Sequence, residues 1–227
     1  MKKLLLTLLA CFAYCSFGFA GTFLAPSSYN LATILPDPPK PGSLEAKTDE
    51  GFLKDAMAIA NDLQRKPAVI ASHDGPFDFK DTLGPWFTKE NLPVTAHVLD
   101  LATHDAKEAI ELAKNHYQRV RPTYWKETGD PEKSDGFSYP SGHTTRAFLW
   151  ADLLADAFPD QAKALHHQAR QKAWYRVILG RHFPADVKAG KLYGKFLAKE
   201  FLANKDFQTQ WGAAKAEIAA FRKSNGV

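Results

Sequence analysis

Phe137-Ser138-Tyr139-Pro140-Ser141-Gly142-His143-Thr144-Thr145-Arg146 lies just past the middle of a 227-residue chain and reads as the entrance to a helix. Pro140 presets a turn, Ser141 is a strong N-cap type, and Gly142 lets backbone come close to a ligand. Thr145-Arg146-Ala147-Phe148-Leu149-Trp150 starts a helical pattern that continues to Phe158, where Pro159-Asp160 breaks it. The first N–H groups of a helix have no partner inside it, so such an entrance suits phosphate, sulfate or a carboxylate. It is also the form of an ordinary cap, and the rest of the chain must decide.

Helical spacing governs the chain on both sides of this stretch. From Asp49 to about Lys66, the apolar residues Phe52, Ala56, Met57, Ala60 and Leu63 recur at helical spacing, with Asp49 or Glu50 as the cap and Pro67 as the stop. Leu92 to His116 supports one or two helices, with Asp105 or Thr103 as a second cap. Gln161 to Ile178, Pro184 to Leu202 and Phe207 to Arg222 follow, the last with Trp211, Ala214, Ile218 and Phe221 on one core-facing stripe. Runs of period-two alternation rich in β-branched residues are scarce, so the expected fold is an all-α, single-domain helical bundle.

Met1-Lys2-Lys3, the apolar run Leu4 to Phe12 and Gly18-Phe19-Ala20 have the three-part plan of a secretory signal peptide, with cleavage expected after Ala20. Cys11 as a lipoprotein site is the rival reading, and it leaves a very short apolar core. Residues 21–48 read as a Pro-rich arm around Pro36-Asp37-Pro38-Pro39-Lys40-Pro41-Gly42, and 49–227 as the globular domain. Both cysteines, Cys11 and Cys15, fall in the signal, which leaves no disulfide, Cys-based zinc site or thiol nucleophile in the mature protein. Without Lys2 and Lys3 the 29 basic residues become 27 against 25 acidic ones, a balance that argues against a nucleic-acid-coating role. No later segment approaches the ~20 apolar residues of a membrane span. The mature protein is therefore expected to be periplasmic or secreted, without stable membrane insertion. His73, Asp74 and Asp78 in a polar loop and the adjacent His166-His167 read as solvated, and no metal site is expected.

Three segments carry the chemistry. In Lys114-Asn115-His116-Tyr117-Gln118-Arg119-Val120-Arg121-Pro122, Arg121 follows Lys114 by nearly two helical turns, which puts both cations on one helix face roughly 10 Å apart, with Arg119 pointing elsewhere. The opening stretch is the second segment. In the third, Tyr175-Arg176-Val177-Ile178-Leu179-Gly180-Arg181-His182-Phe183-Pro184-Ala185-Asp186, Gly180 stops one helix and Pro184 starts the next. Asp186, four residues after His182, can accept a bond from one imidazole nitrogen and leave the other bare to attack. Each segment alone has a structural reading: a solvated basic face, a cap, a chance His–Asp pair. Together they supply several cations and donors for a tetrahedral anion and two histidines with distinct roles.

Lys-x6-Arg-Pro, Pro-Ser-Gly-His and Arg-x5-His-x3-Asp, in this order, resemble the signature of the type 2 phosphatidic acid phosphatase superfamily. Ser138-Tyr139-Pro140-Ser141-Gly142-His143-Thr144 is similar to the bacterial class A non-specific acid phosphatases. The resemblance implies a bundle of the acid phosphatase/vanadium haloperoxidase type and hydrolysis of small phosphomonoesters, broad in range, through a phosphohistidine, with no metal or other cofactor. It makes His182 the nucleophile, Asp186 the group that orients it and His143 the general acid. Lys114, Arg121, Arg176, Ser141 and Gly142 would hold the phosphoryl oxygens. Two positions depart from the pattern: Tyr175 stands where the family has Ser, and Phe137 where class A has Gly. A vanadate-dependent haloperoxidase, a lipid or pyrophosphate phosphatase of the same superfamily, and a non-catalytic phosphate-binding protein are the competing readings, and a homo-oligomer is left open.

Overall fold

The computed structural model describes residues 23–61, 64–66, 68, 75–122 and 136–227, and the expected signal peptide, His73, Asp74 and Pro67 lie outside them. The described chain is helical, with no strand among the described residues: besides shorter helical turns, its long helices are α1 (Leu44–Ile59), α2 (Pro93–Tyr117), α3 (Gly142–Ala157), α4 (Ala162–Ile178), α5 (Pro184–Ala203) and α6 (Lys205–Asn225). No helix of the described residues is long and apolar enough to cross a membrane.

α3 is the axle of the bundle. Ala147, Phe148, Leu149, Trp150, Ala151, Leu153 and Leu154 are all buried, so apolar residues face every direction from it, as befits a helix sealed within a core. It packs most extensively against α5 and α4. The crossing with α5 is a backbone contact. A Cβ added at Gly190 would lie 2.7 Å from the Ser141 carbonyl oxygen, and one at Gly194 only 2.3 Å from that of Thr145. Those two glycines bring the middle of α5 against the first turns of α3. On the far side, α2 lays Val98, Leu99, Ala102, Ala106, Ala109, Ile110 and Ala113 against the core at helical spacing, and α6 closes it with Phe207, Trp211, Ala214 and Ile218.

Three boundaries differ from the sequence expectation. α1 begins at Leu44, where the Ser43 side chain accepts the Ala46 N–H, so Asp49 is no cap but a buried residue in mid-helix. It ends at Ile59 because Asn61 and Gln64 exchange side-chain-to-backbone bonds, 3.3 and 3.2 Å, and open a new turn. α2 is the single helix of the two readings and has no second cap: Thr103 bonds back to the Leu99 carbonyl and accepts the Trp150 indole N–H. Asp105 points inward and takes the backbone N–H groups of Phe23 and Leu24, at 2.6 and 3.1 Å. Asn204 adds a bond to the Phe23 carbonyl, and the Phe23 ring packs edge-on to Phe201 and Phe207.

Residues 23–43 run over the bundle. Tyr117 donates its hydroxyl to the carbonyls of Leu31 and Leu35, Tyr139 donates to that of Pro36, and Leu24 and Leu35 are buried. Asp78 pairs with Lys172 at 2.9 Å, and His166 is half-buried against Asp152 rather than facing solvent.

Candidate active site

α2 stops at Tyr117 because Gln118 turns left-handed, φ 49°, with its N–H on the Lys114 carbonyl. Arg119-Val120-Arg121-Pro122 then runs outside any helix. A residue before proline is driven from the helical region, and Ser138 fixes the segment by donating its N–H to the Arg119 carbonyl at 2.8 Å and its hydroxyl to those of Arg119 and Val120 at 3.2 Å. The expected common helix face of Lys114 and Arg121 is thereby corrected, and so is the idea that Arg119 points away. Both arginines reach the junction between α4 and α5.

That junction is made by Gly180, φ 65°, which ends α4. The N–H groups of Arg181 and His182 then fold back onto the Arg176 carbonyl, 3.0 and 3.2 Å. His182 is 1 % exposed, and Arg121 Nη1 stands 3.1 Å from its Nε2. A guanidinium only donates, so Nε2 is the acceptor and carries the lone pair. The proton therefore belongs on Nδ1, which faces the Asp186 carboxylate at 3.6 Å, too long for a hydrogen bond. Burial, followed by the charges of Arg121, Arg176 and Lys114, holds the His182 pKa well below the ordinary histidine value.

Asp186 is the N3 residue of α5, fully buried, with Oδ2 accepting the Phe183 N–H at 2.9 Å. Its Oδ1 takes Arg119 Nη1 at 2.7 Å, and the same guanidinium reaches Asp49 Oδ2 at 2.7 Å while lying 4.2 Å over the Phe183 ring. Asp49 accepts the Ala185 N–H at 2.9 Å with its other oxygen. Burial pushes the Asp186 pKa up, against the opposing pull of Arg119 and the Phe183 N–H.

The opposite wall is the start of α3. Ser141 is its N-cap, accepting from the Thr144 N–H at 3.4 Å and hydroxyl at 3.0 Å, and its own N–H donates to the Asp186 carbonyl at 3.0 Å. Gly142 heads the helix, and the place where its Cβ would stand is 4.0 Å from Lys114 Nζ and 3.6 Å from Arg146 Nη1. Lys114 sits in the last turn of α2, buried, 3.1 Å from Glu111, and burial lowers its pKa. Arg176, in the last turn of α4, is 3 % exposed. His143 follows Gly142, half-buried, in the first turn of α3.

The structure thus brings Lys114, Arg121 and Arg176 near enough to His182 for their charges to act on it, with Asp186 3.6 Å from its ring and the Ser141-Gly142 start of α3 alongside; His143 follows in the first turn of α3. Asp49 and Arg119 are the neighbours that the sequence reading missed. Tyr175, half-buried, packs against a small apolar cluster that joins Leu53 and Ala56 of α1 to Val177, Ile178 and Leu179. Among the described residues no group of three or more His, Cys, Asp or Glu could hold a metal ion. Lys114 and Arg176, both buried, and the half-buried Arg121 all lower the His182 pKa through their charge.

A sequence profile described as the PAP2 superfamily matches residues 99–209. A non-specific acid phosphatase of Providencia stuartii is 28% identical over 201 residues, 84% of this chain and 81% of that protein. One from Salmonella typhi is 30% identical over 179 residues, 74% of this chain and 71% of that protein. Among solved structures, a transmembrane PAP2-type phosphatidylglycerolphosphate phosphatase from Bacillus subtilis superposes with a TM-score of 0.51 at 20% identity, over 74% of this chain and 89% of that one. This last likeness concerns the fold alone.

Proposed function

This chain belongs to the PAP2 superfamily, and we propose that it is a metal-independent acid phosphatase, exported from the cytoplasm, that hydrolyses phosphomonoesters through a phosphohistidine. The observation that carries the reading is the Arg121–His182–Asp186 line. A lone pair on Nε2 stands beside a phosphate-type cation at 3.1 Å, with the other ring nitrogen turned toward a carboxylate. The names of the relatives and the signal-like Met1 to Ala20 support the same reading.

A bound ester would take the cation cage of Lys114, Arg121 and Arg176, the Ser141 hydroxyl and the N–H groups at the head of α3 onto its phosphoryl oxygens. Nε2 of His182 attacks phosphorus in line, the ester P–O bond breaks, and His143 gives its proton to the leaving alkoxide. The ring keeps its Nδ1 proton and becomes cationic, and the Asp186 carboxylate 3.6 Å away stabilises that charge. Water, deprotonated by His143, then splits the N–P bond and restores the neutral ring. Because burial and the neighbouring cations depress the His182 pKa, the nucleophile keeps its lone pair at acid pH, and the arriving dianion offsets those same cations.

His182→Ala is expected to abolish turnover of aryl phosphates while leaving the helical spectrum intact. Rapid denaturing quench of the wild type is expected to trap acid-labile phosphate on histidine, with chelators leaving the rate unchanged. Undiminished hydrolysis by His182→Ala would sink the mechanism.

A further inference from the structure

Arg146 is a cation near the cage for which the proposed hydrolysis has no use. It lies one helical turn after Gly142 on the same face of α3 and three residues after His143. Side chains on a helix lean toward its N-terminus, and this one reaches back until Nη1 is 3.6 Å from the place where a Gly142 Cβ would stand. Lys114 Nζ is 4.0 Å from that same point, so the two cations flank the bare glycine from two sides. The side chain is held rather than loose: it is half-buried, with its guanidinium carbon 6.0 Å from the Trp150 ring. Its charge, like that of Arg121, is felt at Lys114 and depresses the Lys114 pKa.

Its position fixes which part of a substrate it meets. In-line displacement puts the leaving group opposite Nε2 of His182, on the side of His143, and Arg146 shares the α3 face with that histidine. We propose that Arg146 is a leaving-group subsite for a second phosphoryl group, so that the site favours phosphoanhydrides, whose leaving group is itself a phosphate, over esters of neutral alcohols. This rests on the phosphatase reading. In the step, the Nε2–P bond forms and the bridging P–O bond breaks, its electron pair staying on the departing phosphate. The guanidinium then meets the charge that develops there. A guanidinium carries five N–H donors in a planar fork, so it can lie by Trp150 and still offer two N–H groups to one phosphate.

The test compares inorganic pyrophosphate with phenyl phosphate in the wild type, Arg146→Met and Arg146→Lys. The ratio of their kcat/KM values is expected to fall roughly 10- to 100-fold in Arg146→Met, as for loss of a charged hydrogen bond, and to recover partly in Arg146→Lys. A ratio that stays put, or rates for both substrates that fall together in both variants, would overturn the subsite and leave Arg146 as a support for the helix start. Calorimetric titration of each protein with pyrophosphate and orthophosphate reads the subsite without turnover. Arg146→Met is expected to lose the wild type's preference for pyrophosphate, and an equal preference in both proteins counts against the proposal. A wild type that hydrolyses neither substrate yet shows that binding difference breaks the phosphatase reading and leaves the subsite standing.

Discussion

Asp105 and Asp186 are both carboxylates sealed inside the bundle, both accept backbone N–H groups, and burial pushes both pKa values up. They differ in what else they meet. Asp105 holds two N–H groups of the chain's Phe23-Leu24 segment, and the exposed imidazole of His104 stands 3.7 Å away. Asp186 meets the largely covered guanidinium of Arg119 at 2.7 Å and the buried imidazole of His182 at 3.6 Å. A lone buried carboxylate on N–H groups fastens chain to chain, whereas one placed between two ionisable partners sets their protonation and direction. The pair separates architecture from chemistry in one core.

Asp186→Asn breaks the comparison most sharply. Turnover is expected to fall on the order of 10³- to 10⁴-fold, as when a histidine loses the carboxylate that fixes its tautomer, in a protein that still folds but is less stable because Arg119 has lost a charged partner. Steady-state kinetics beside calorimetry checks it, and an active Asn variant would reduce Asp186 to a second fastener.

Arg119→Met comes next, because it strips the cation from two buried carboxylates, Asp49 and Asp186. Removing one partner of a buried pair costs about 3–5 kcal/mol, read as a lowered denaturant midpoint. Without Arg119 the Asp186 pKa moves further up, so the acid limb of the kcat profile should shift to higher pH. A purely structural arginine would change the midpoint and leave the profile in place.

Asp105→Asn is expected to have the smallest effect: about 1 kcal/mol of stability, since the amide oxygen still accepts one or both N–H groups, with kcat retained. Its pH dependence has a definite sign. The folded-state pKa of Asp105 is raised, so its contribution is fully present below the ordinary aspartate range near 3.9 and is lost as pH rises through the folded value. The stability gap between wild type and Asn should narrow on that rise, and a gap that is flat in pH would mean the carboxylate is not buried as described.

The helices and the cage were legible in the sequence for different reasons. α3 to α6 announce themselves because apolar spacing, Pro159, Gly180 and Pro184 act locally. Lys114, Ser141, His182 and Asp186 could be placed because each sits at an element boundary that a cap or a breaker marks. Arg119 was hidden by carrying the helical period past Tyr117. Pro122 disfavours helix just before it, and a non-helical reading of Arg119-Val120-Arg121 sets two arginines two residues apart toward one side. Asp49 could not be found locally at all. Its role depends on α1 lying beside α5, a contact across 136 residues of chain. Asp105 misled in the same way, since an acidic residue in mid-helix looks like a cap until the distant Phe23 is folded against it.

Gly190 and Gly194 give the junction of α3 and α5 a property of their own. Where helices meet through side chains, evolution can exchange one rotamer or one methyl group for another and reset the gap a little each time. Here main chain rests on main chain, so the interval between the wall that holds His143 and the corner that holds His182 is gauged by peptide geometry itself. Substitutions elsewhere in the core can wander without moving that gauge, and a single added methyl group at Gly194 would recalibrate it.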